Sequence, residues 1–363
     1  MNVPINLSCF QSQIWQQTKL GQLCGQQKLF HERYEVLRMI GRGGFGVTFL
    51  ARDVSLPAKP PCVIKQLLPK VSDPHVLEKA RSRFQLEAQM LAKLGNHSQI
   101  PMLLDYFVAE GEFYLVQEYV RGVHLAKLVR RGGCLSEIAL KSFLRNILPL
   151  LDFIHNNGVI HRDIKPQNII CCQDDRRLVL IDFGAVKEVI AQTKDKSADT
   201  TTTHFVGTVG FAPPEQFSLR PTFGSDIFSL GVTCLYLLTG KAPLEFATNP
   251  QTGELQWTDA VELSESLAEI LGKMLKVSVN KRYKSARAIL AALDLEPHRA
   301  QLANCMVANH QPNLDPAATD QERSSFSEFR SPTAKAAIAI REWKQRRREK
   351  QQGYRNHIVP SLS

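Results

Sequence analysis

Residues 161–168 read His-Arg-Asp-Ile-Lys-Pro-Gln-Asn, and residues 182–184 read Asp-Phe-Gly. The triplet comes directly after an apolar run, Leu178–Ile181, whose length and composition predict a short buried strand. Carboxylate, amide and ammonium groups are thereby placed at fixed spacings around one strand and the loops beside it. That joint pattern is far more specific than any of its parts, and it decides the fold class.

The residue types in these two stretches suit the transfer of a phosphoryl group. Such transfer needs metal ions to neutralise phosphate charge, a carboxylate to accept the proton of the acceptor hydroxyl, and rigid placement. Asp163 suits the role of base, and Lys165 can add positive charge beside the transferring phosphate. Asn168 and Asp182 offer the oxygen atoms that magnesium prefers as ligands.

A glycine-rich loop lies upstream of these stretches, between two strand-like segments, 34–40 and 47–51. Its members are Gly41, Arg42, Gly43, Gly44, Phe45 and Gly46. Glycine lets a backbone come close to phosphate oxygens, to which its N–H groups can donate. A dinucleotide-binding fold needs a helix after such a loop, but a strand-like segment follows here, so that interpretation is set aside. Taken alone, the loop could equally be a flexible hairpin turn.

A lysine and a glutamate downstream of the loop complete the pattern. Lys65 ends a third strand-like segment nineteen residues after Gly46, from which its ammonium can reach phosphates beneath the loop. Glu87 lies on a helix predicted over 75–94, and its carboxylate can pair with Lys65 and orient it. A lone Lys or Glu is usually a solvated surface charge, so the interpretation depends on the other motifs.

The order of elements predicts an α+β protein with two lobes, because a strand-rich first part precedes a helix-rich second part. We expect a polar extension over residues 1–33, an N-lobe over 34–117 and a C-lobe over 118–295. Residues 296–363 are expected to form a linker followed by a basic helix.

In these motifs the chain resembles the eukaryotic-type protein kinase family, over about residues 34–295. The resemblance implies a bilobal fold that transfers the γ-phosphate of ATP to Ser or Thr hydroxyls of protein substrates. It implies ATP and Mg²⁺ as cofactors, with Mn²⁺ as an alternative ion. Pro61–Leu67 and Gly207–Phe211 look most like the bacterial, especially cyanobacterial, members, and Lys165 and Thr208 resemble the Ser/Thr class.

The resemblance also assigns a role to individual positions. Asp163 would be the catalytic base, and Lys65, paired with Glu87, would hold the α- and β-phosphates. Asn168 and Asp182 would bind the metal ions. The nucleotide site would be formed by Ile40, Gly41, Arg42, Gly43, Gly44, Phe45, Gly46, Thr48, Lys65, the gatekeeper Gln117 and the hinge residues Glu118, Tyr119 and Val120.

Three further positions resemble structural landmarks of the family. Asp226 fits the buried Asp of a long C-lobe helix, and Arg282 fits a late Arg that pairs with Glu215. The chain departs from the family pattern at Thr48, where a valine is usual, and at Pro213, where an alanine is usual. Neither departure removes a catalytic group.

A regulatory site is predicted in the segment between residues 182 and 215. Phosphate on one of Thr200, Thr201, Thr202 or Thr203, added by autophosphorylation, could pair with Arg162 and Lys187 and order this segment. The alternative is that the threonine-rich run is merely a polar loop.

Both ends of the chain carry weaker patterns. Residues 331–353 are predicted to form a helix with basic residues near its C-terminal end. A solvated face is the leading interpretation, and docking onto the catalytic domain, a partner protein or an acidic surface is the alternative, with only weak support for nucleic-acid binding. Cys9, Cys24 and His31 offer at most three ligands without a Cys-x-x-Cys pair, so we expect no metal site there.

Bulk composition is ordinary for a globular protein. The chain has 363 residues, a net charge of +10, 44% hydrophobic and 22% charged residues, which argues against disorder as a whole. No secretory signal opens the sequence and no apolar stretch approaches the length of a membrane span, so we expect a cytoplasmic protein without disulfides.

Two other function classes stay open. A pseudokinase would bind nucleotide and act as a scaffold, although such proteins usually lose the equivalent of Lys65, Asp163 or Asp182. A phosphotransferase for small alcohols would share the fold, but Thr208 and Glu215 are landmarks of protein-substrate binding.

Overall fold

The computed structural model describes residues 18–42, 46–67, 74–95, 97–184, 187–188, 208 and 210–295. All of them belong to the first of two compact units, Met1–Pro297.

The first lobe is built on a five-stranded antiparallel sheet in the order β1-β2-β3-β5-β4. Its strands are β1 (Tyr34–Arg42), β2 (Gly46–Asp53), β3 (Pro61–Leu67), β4 (Leu103–Ala109) and β5 (Glu112–Glu118). Helix α2 (Pro74–Leu94) connects β3 to β4. Successive side chains of a strand point to opposite faces, so the sheet has two apolar faces to cover.

Helix α2 covers the inner face of the sheet. Its residues Phe84, Leu91 and Leu94 are buried in the main core, in which Leu67 of β3 and Leu115 of β5 also lie. The helix predicted over 75–94 is thus present. It brings Glu87 under the strand that carries Lys65.

The prediction of a polar extension over residues 1–33 is wrong for residues 18–33. Helix α1 (Lys19–Leu23) begins after the N-cap Thr18, and Leu20 and Phe30 are fully or almost fully buried. Both lie in a second core on the outer face of the sheet. Phe49 of β2 and Ile64 of β3 also belong to this core. The apolar face that these strands present therefore explains why Leu20 and Phe30 are buried.

Aromatic contacts and backbone hydrogen bonds hold residues 18–33, the covering segment, on the sheet. The ring of Phe30 lies 4.7 Å from that of Tyr114 and 5.9 Å from that of Phe107. The N–H of Gly25 donates to the carbonyl of Val36 at 2.9 Å. Residues 18–33 therefore belong to the folded lobe.

Helices dominate the second lobe. They are α3 (Leu125–Gly132), α4 (Glu137–Asn156), α5 (Pro214–Phe217), α6 (Phe223–Thr239), α7 (Glu265–Met274) and α8 (Ala286–Leu295). Short 3₁₀ turns cover Pro166–Asn168, Pro243–Glu245, Thr258–Ala260 and Val279–Lys281.

Helix α6 is the centre of this lobe. It is apolar on all sides and almost wholly buried, as a helix at the core of a lobe must be. Gly240, with φ of +69°, ends it in the left-handed conformation that glycine adopts without strain. Strands followed by helices confirm the α+β, bilobal fold class.

Small strands line the region between the lobes. β6 (Gly122–His124), β8 (Ile169–Cys172) and β9 (Leu178–Leu180) form one sheet in the order β6-β8-β9. β7 (Val159–Ile160) pairs with β10 (Lys187–Glu188). Residues 161–168 therefore begin at β7 and end at β8, and residues 182–184 follow β9.

Candidate active site

The loop that carries Asp163 is held from below by a buried carboxylate on helix α6. The backbone N–H groups of His161 and Arg162 each donate to Asp226 at 2.8 Å, and Nε2 of His155 lies 2.9 Å from the same carboxylate. Arg162 has a φ of +68°, a conformation that is strained for a side-chain-bearing residue. The two bonds to Asp226 hold the backbone in this shape and so fix where Asp163 projects.

Asp163 lies at the centre of a group of four polar side chains. Its carboxylate accepts hydrogen bonds from the ammonium of Lys165 at 2.7 Å and from the hydroxyl of Thr208 at 2.8 Å. The Lys165 ammonium also donates to the Thr208 hydroxyl at 2.6 Å. The Asn168 amide donates to both the backbone oxygen and the carboxylate of Asp163 at 2.9 Å. The carboxylate is thereby fixed in orientation.

A second cluster of charges joins the sheet to helix α2. Lys65 lies on the central strand β3, opposite Thr48 of β2 and Leu115 of β5, and its ammonium forms an ion pair with Glu87. A longer contact of 3.9 Å reaches the carboxylate of Asp182. Burial favours the neutral amine, but the two carboxylates outweigh it and raise the pKa of Lys65. The lysine is therefore a fixed positive charge.

Asp182 follows β9 in a left-handed conformation, with φ of +68°. The surrounding protein partly desolvates its carboxylate and so pushes its pKa up, but the positive charges of Lys65 and Lys165 and the nearby His161 ring outweigh this, so the net pKa is lowered. Its side chain is 50% exposed, so the carboxylate is open to a ligand. Phe183, fully buried, anchors the turn by contacting the His161 ring edge-on at 4.9 Å.

The oxygens of Asn168 and Asp182 fit a hard divalent cation. Because the Asn168 amide nitrogen is committed to Asp163, its carbonyl oxygen is left to accept. A carboxylate with a lowered pKa and an amide oxygen are the donor types that magnesium prefers.

The predicted nucleotide site lies above these groups, along the sheet and the connection between the lobes. Ile40, Gly41 and Arg42 end β1, and Thr48 is half-buried in β2, while Gly43, Gly44 and Phe45 lie outside the described residues. Gly46 packs so closely on β3 that a Cβ atom there would be 2.3 Å from the Gln66 carbonyl oxygen. That position therefore needs glycine.

The hinge residues continue β5. Gln117 is buried, and the Glu118 N–H donates to the Met102 carbonyl at 2.9 Å. Beyond Tyr119, Val120 packs in a small apolar cluster whose other members are Cys172, Val179 and the partly buried Ile170 and Ile181. Sequence reasoning did not single out Ile170 and Ile181, although Ile170 lies two residues after Asn168 and Ile181 directly precedes Asp182.

The predicted pair Glu215 and Arg282 forms a two-pronged ion pair. Nη1 of Arg282 lies 2.6 Å from one carboxylate oxygen and Nη2 lies 3.1 Å from the other. The guanidinium is fully buried and donates also to the carbonyls of Gly224 and Val277. This pair ties helix α5, at the end of the segment that includes Thr208, to the last part of the lobe.

Some predicted positions lie wholly or partly outside the described residues. Thr200, Thr201, Thr202 and Thr203 lie outside the described residues, as do Cys9 and the helix predicted over 331–353. Arg162 is buried, and of Lys187 only the backbone in β10 is described. The regulatory site and the roles of the two ends therefore stay predictions.

Comparison with known families matches residues 34–292 to the protein kinase domain. The match covers more than half of the chain, which therefore belongs to the protein kinase family. A protein kinase domain uses ATP and a divalent metal ion. No helix of the described ranges is long and apolar enough to cross a bilayer.

Several cyanobacterial proteins are similar to this chain. Serine/threonine-protein kinase B of Synechocystis sp. is 49% identical over 311 residues, which are 85% of this chain and 54% of that protein. Serine/threonine-protein kinase PknA of Nostoc sp. is 42% identical over 271 residues, covering 74% of this chain and 48% of that protein. The chain thus spans about half the length of the curated relatives it matches.

Proposed function

We propose that this chain is an active Ser/Thr protein kinase that transfers the γ-phosphate of ATP to Ser or Thr hydroxyls of proteins. The arrangement of Asp163, Lys165 and Thr208 is the observation that carries the proposal. The Asp163 carboxylate accepts hydrogen bonds from Lys165 and Thr208, and a third from Asn168, so its orientation is fixed as a base requires. The names of the cyanobacterial relatives support the Ser/Thr class.

Each group of the site has one task in the transfer. Asp163 accepts the proton of the acceptor hydroxyl as its oxygen bonds to the γ-phosphorus, and the bond from that phosphorus to the bridging oxygen breaks to leave ADP. Lys165 places a positive charge beside the transferring group. Lys65, held by Glu87, positions the remaining phosphates.

The chemistry of the donor set favours Mg²⁺ at Asn168 and Asp182, with Mn²⁺ as an alternative. When bound, the ion neutralises negative charge on the phosphates.

We further propose autophosphorylation on the run Thr200–Thr203, with Arg162 and Lys187 as the phosphate's partners. The test compares wild type with a variant in which all four threonines are replaced by alanine. After both proteins have been incubated with Mg·ATP to allow phosphorylation, the variant should show lower activity than wild type. Equal activity would end the regulatory proposal.

The decisive experiment measures transfer of radiolabelled γ-phosphate from Mg·ATP to a generic basic Ser/Thr protein substrate. Wild type is compared with Asp163→Asn, which keeps the side-chain volume and removes the base. We expect label on serine or threonine with wild type and none with the variant. Repeating the assay with Mn²⁺ tests the choice of ion.

Three outcomes would contradict the proposal in distinguishable ways. Nucleotide binding without transfer would favour the pseudokinase scaffold. Transfer to an aminoglycoside or choline-like alcohol, with none to protein, would favour a small-molecule phosphotransferase. Label on tyrosine would contradict the Ser/Thr class. The cytoplasmic location and a partner for the basic tail stay predictions.

A further inference from the structure

A basic segment follows the hinge and leads through helix α3. It covers residues 119–136, which contain no Asp or Glu. Its Lys and Arg residues are Arg121, Lys127, Arg130 and Arg131. Arg121 forms an ion pair with Asp174 at 3.9 Å, so the positive charge in excess is that of helix α3.

The carboxylates at the two borders of this segment are already engaged. On one side, Glu118 lies 3.8 Å from the Arg177 guanidinium. On the other side, Glu137 forms an ion pair with Lys141 at 2.6 Å. Neither carboxylate therefore neutralises the charge of helix α3.

The three cations of helix α3 have no acidic partner among the described residues. Nε of Arg130 donates to the Ala126 carbonyl at 3.3 Å, and neither Lys127 nor Arg131 forms an ion pair within the described ranges. Arg130 and Arg131 lie in the last turn, where cations stabilise a helix, but Lys127 lies in the first turn, where a cation is unfavourable. Helix stability therefore does not explain the whole cluster.

Helix α3 begins at the edge of the candidate active site. Strand β6, which precedes it, pairs with β8 so that His124 lies opposite Ile170, two residues after Asn168. The helix then contacts the turn Pro166–Asn168. Its buried residue Leu125 belongs to the main core of the lobe, so the helix is firmly seated in this position.

The charge of the cluster acts on the residue that borders the site. Burial, with the positive charges of Arg130 and Lys127, lowers the pKa of His124, the N-cap of the helix. Paired strands lie about 4.8 Å apart and an extended chain advances about 3.3 Å per residue. Since the Asn168 amide donates to Asp163 at 2.9 Å, the start of helix α3 is within reach of a few substrate residues beside the acceptor.

We propose that Lys127, Arg130 and Arg131 bind acidic side chains of the protein substrate, on the segment beside the Ser or Thr that is phosphorylated. This inference rests on the proposed function and adds a substrate class to it. The planar guanidinium groups of the two arginines suit carboxylates, with which they form paired hydrogen bonds. Because the cations are exposed or only half-buried, they act together to attract and select the substrate.

Two other anionic partners fit this surface less well. Residues 120–136 contain no Phe, Tyr or Trp, so a nucleic acid would find no ring there on which to stack a base. The apolar residues Leu125, Ala126 and Val129 of helix α3 are buried in the lobe and are not available to insert into a membrane. An acidic peptide needs neither feature.

The probe is the fluorescein-labelled peptide Glu-Glu-Glu-Ala-Ser-Ala-Glu-Glu-Glu, titrated with the full chain at low salt and followed by anisotropy. Matched peptides carry Gln or Lys in place of every Glu. We expect the Glu peptide to bind wild type about tenfold or more tightly than the Gln peptide, with the difference shrinking at high salt. The triple variant Lys127→Gln/Arg130→Gln/Arg131→Gln should lose most of this preference. The ratio of kcat/KM for the Glu peptide to that for the Gln peptide should fall with it.

The matched control is Lys281→Gln/Lys284→Gln/Arg287→Gln. It removes the same number of exposed positive charges from the same lobe, in and before helix α8, and should keep the preference. Equal binding of the Glu and Gln peptides to wild type, or equal loss in the two triple variants, would overturn the proposal. Tighter binding of an oligothymidylate of the same length, lost in the first variant only, would overturn it in favour of a nucleic acid.

The two readouts separate this proposal from the one on which it rests. Transfer to all three peptides with equal kcat/KM would overturn the acidic specificity and leave the kinase activity intact. Binding of the Glu peptide that depends on Lys127, Arg130 and Arg131, without transfer to any peptide, would contradict the proposed function while supporting the acidic specificity of the surface.

Discussion

The hydroxyl of Thr208 donates a hydrogen bond of 2.8 Å to the carboxylate of Asp163, although 45 residues separate the two in sequence. Lys165 donates to both partners and closes a triangle of short contacts. Because Thr208 lies near the end of the segment that leads to Glu215, the position of that segment is coupled directly to the proposed base. An arrangement of this kind makes activity depend on the conformation of the segment.

The first prediction concerns that coupling. Thr208→Val removes the hydroxyl while keeping the shape of the side chain, so Asp163 and Lys165 each lose a partner. A hydrogen bond to a charged group contributes about 1.5–3 kcal/mol, which corresponds to a fall in kcat of roughly 10- to 100-fold. Steady-state phosphate transfer measures it, with Thr208→Ser as the control that should retain most of the activity. A fully active valine variant would show that the hydroxyl is only a bystander.

The ion pair between Lys65 and Glu87 supports a second prediction. Glu87→Gln removes the carboxylate that raises the pKa of Lys65 and orients its ammonium. We expect kcat/KM for ATP to fall by roughly 100- to 1,000-fold, with the fold unchanged by circular dichroism. Lys65→Met should cost about as much, and the double variant should cost little more than either alone, since the two residues act as one unit. Additive losses would mean that they act separately.

The buried pair Glu215 and Arg282 is predicted to matter mainly for stability. Glu215→Gln leaves the fully buried Arg282 guanidinium without its counter-charge, which should lower the free energy of unfolding by about 3–5 kcal/mol. Urea-induced unfolding followed by fluorescence measures the change. Adding Arg282→Met to the first substitution should recover part of the loss, because the second substitution removes the unpaired charge. A double variant less stable than Glu215→Gln would contradict this explanation.

The positions that could be predicted from sequence are those whose chemistry and spacing are local. The stretch 161–168 and the triplet at 182 lie beside short strands that fix their directions, so residue order alone indicates which groups meet. Thr208 could be placed in a family class but not beside Asp163. Gln216, whose amide donates to the Arg162 carbonyl at 2.6 Å, escaped notice entirely. The contacts Thr208–Asp163 and Gln216–Arg162 join residues far apart in sequence, and no periodic pattern of residues indicates such contacts.

The covering segment shows a different limit of sequence reasoning. Leu20, Leu23 and Phe30 are too few and too irregularly spaced to show a helical or strand period. Their burial depends on the apolar outer face of the sheet, to which Phe49 and Ile64 contribute. Tertiary packing, rather than local pattern, therefore decides that residues 18–33 are part of the lobe.

This segment supports a fourth prediction. Leu20→Ala removes a fully buried side chain and should lower the free energy of unfolding by about 2–4 kcal/mol. Deletion of residues 1–33 should destabilise the protein more than deletion of residues 1–17, because the longer deletion also removes Leu20 and Phe30 from the outer core. Thermal unfolding of the two truncated proteins makes the comparison. Equal melting temperatures would show that the cover is dispensable.

The last prediction is a pH dependence at the junction of this segment with the sheet. Arg33 donates three hydrogen bonds to the carboxylate of Asp53, and it also reaches Asp105 at 3.1 Å. Arg33, with further bonds from Ser55, outweighs the effect of burial and lowers the pKa of Asp53 to about 2. Since the carboxyl of an unfolded chain has a pKa of about 3.9, the charged form stabilises the fold by about 2.5 kcal/mol at neutral pH. That stability is present above pH 4 and is lost as the pH falls toward 2.

Asp53→Asn tests this pH dependence, because asparagine resembles the protonated acid in size and charge. Wild type should unfold at a higher urea concentration than the variant at pH 7, and the difference should shrink steadily between pH 4 and pH 3, as far down as the fold persists. Glu110→Gln is the control, since Glu110 pairs with Lys19 at an exposed site of the same lobe and should change stability little at either pH. If the difference between wild type and Asp53→Asn were the same at pH 7 and pH 3, the ionised form of Asp53 would not be what holds Arg33 and the covering segment in place.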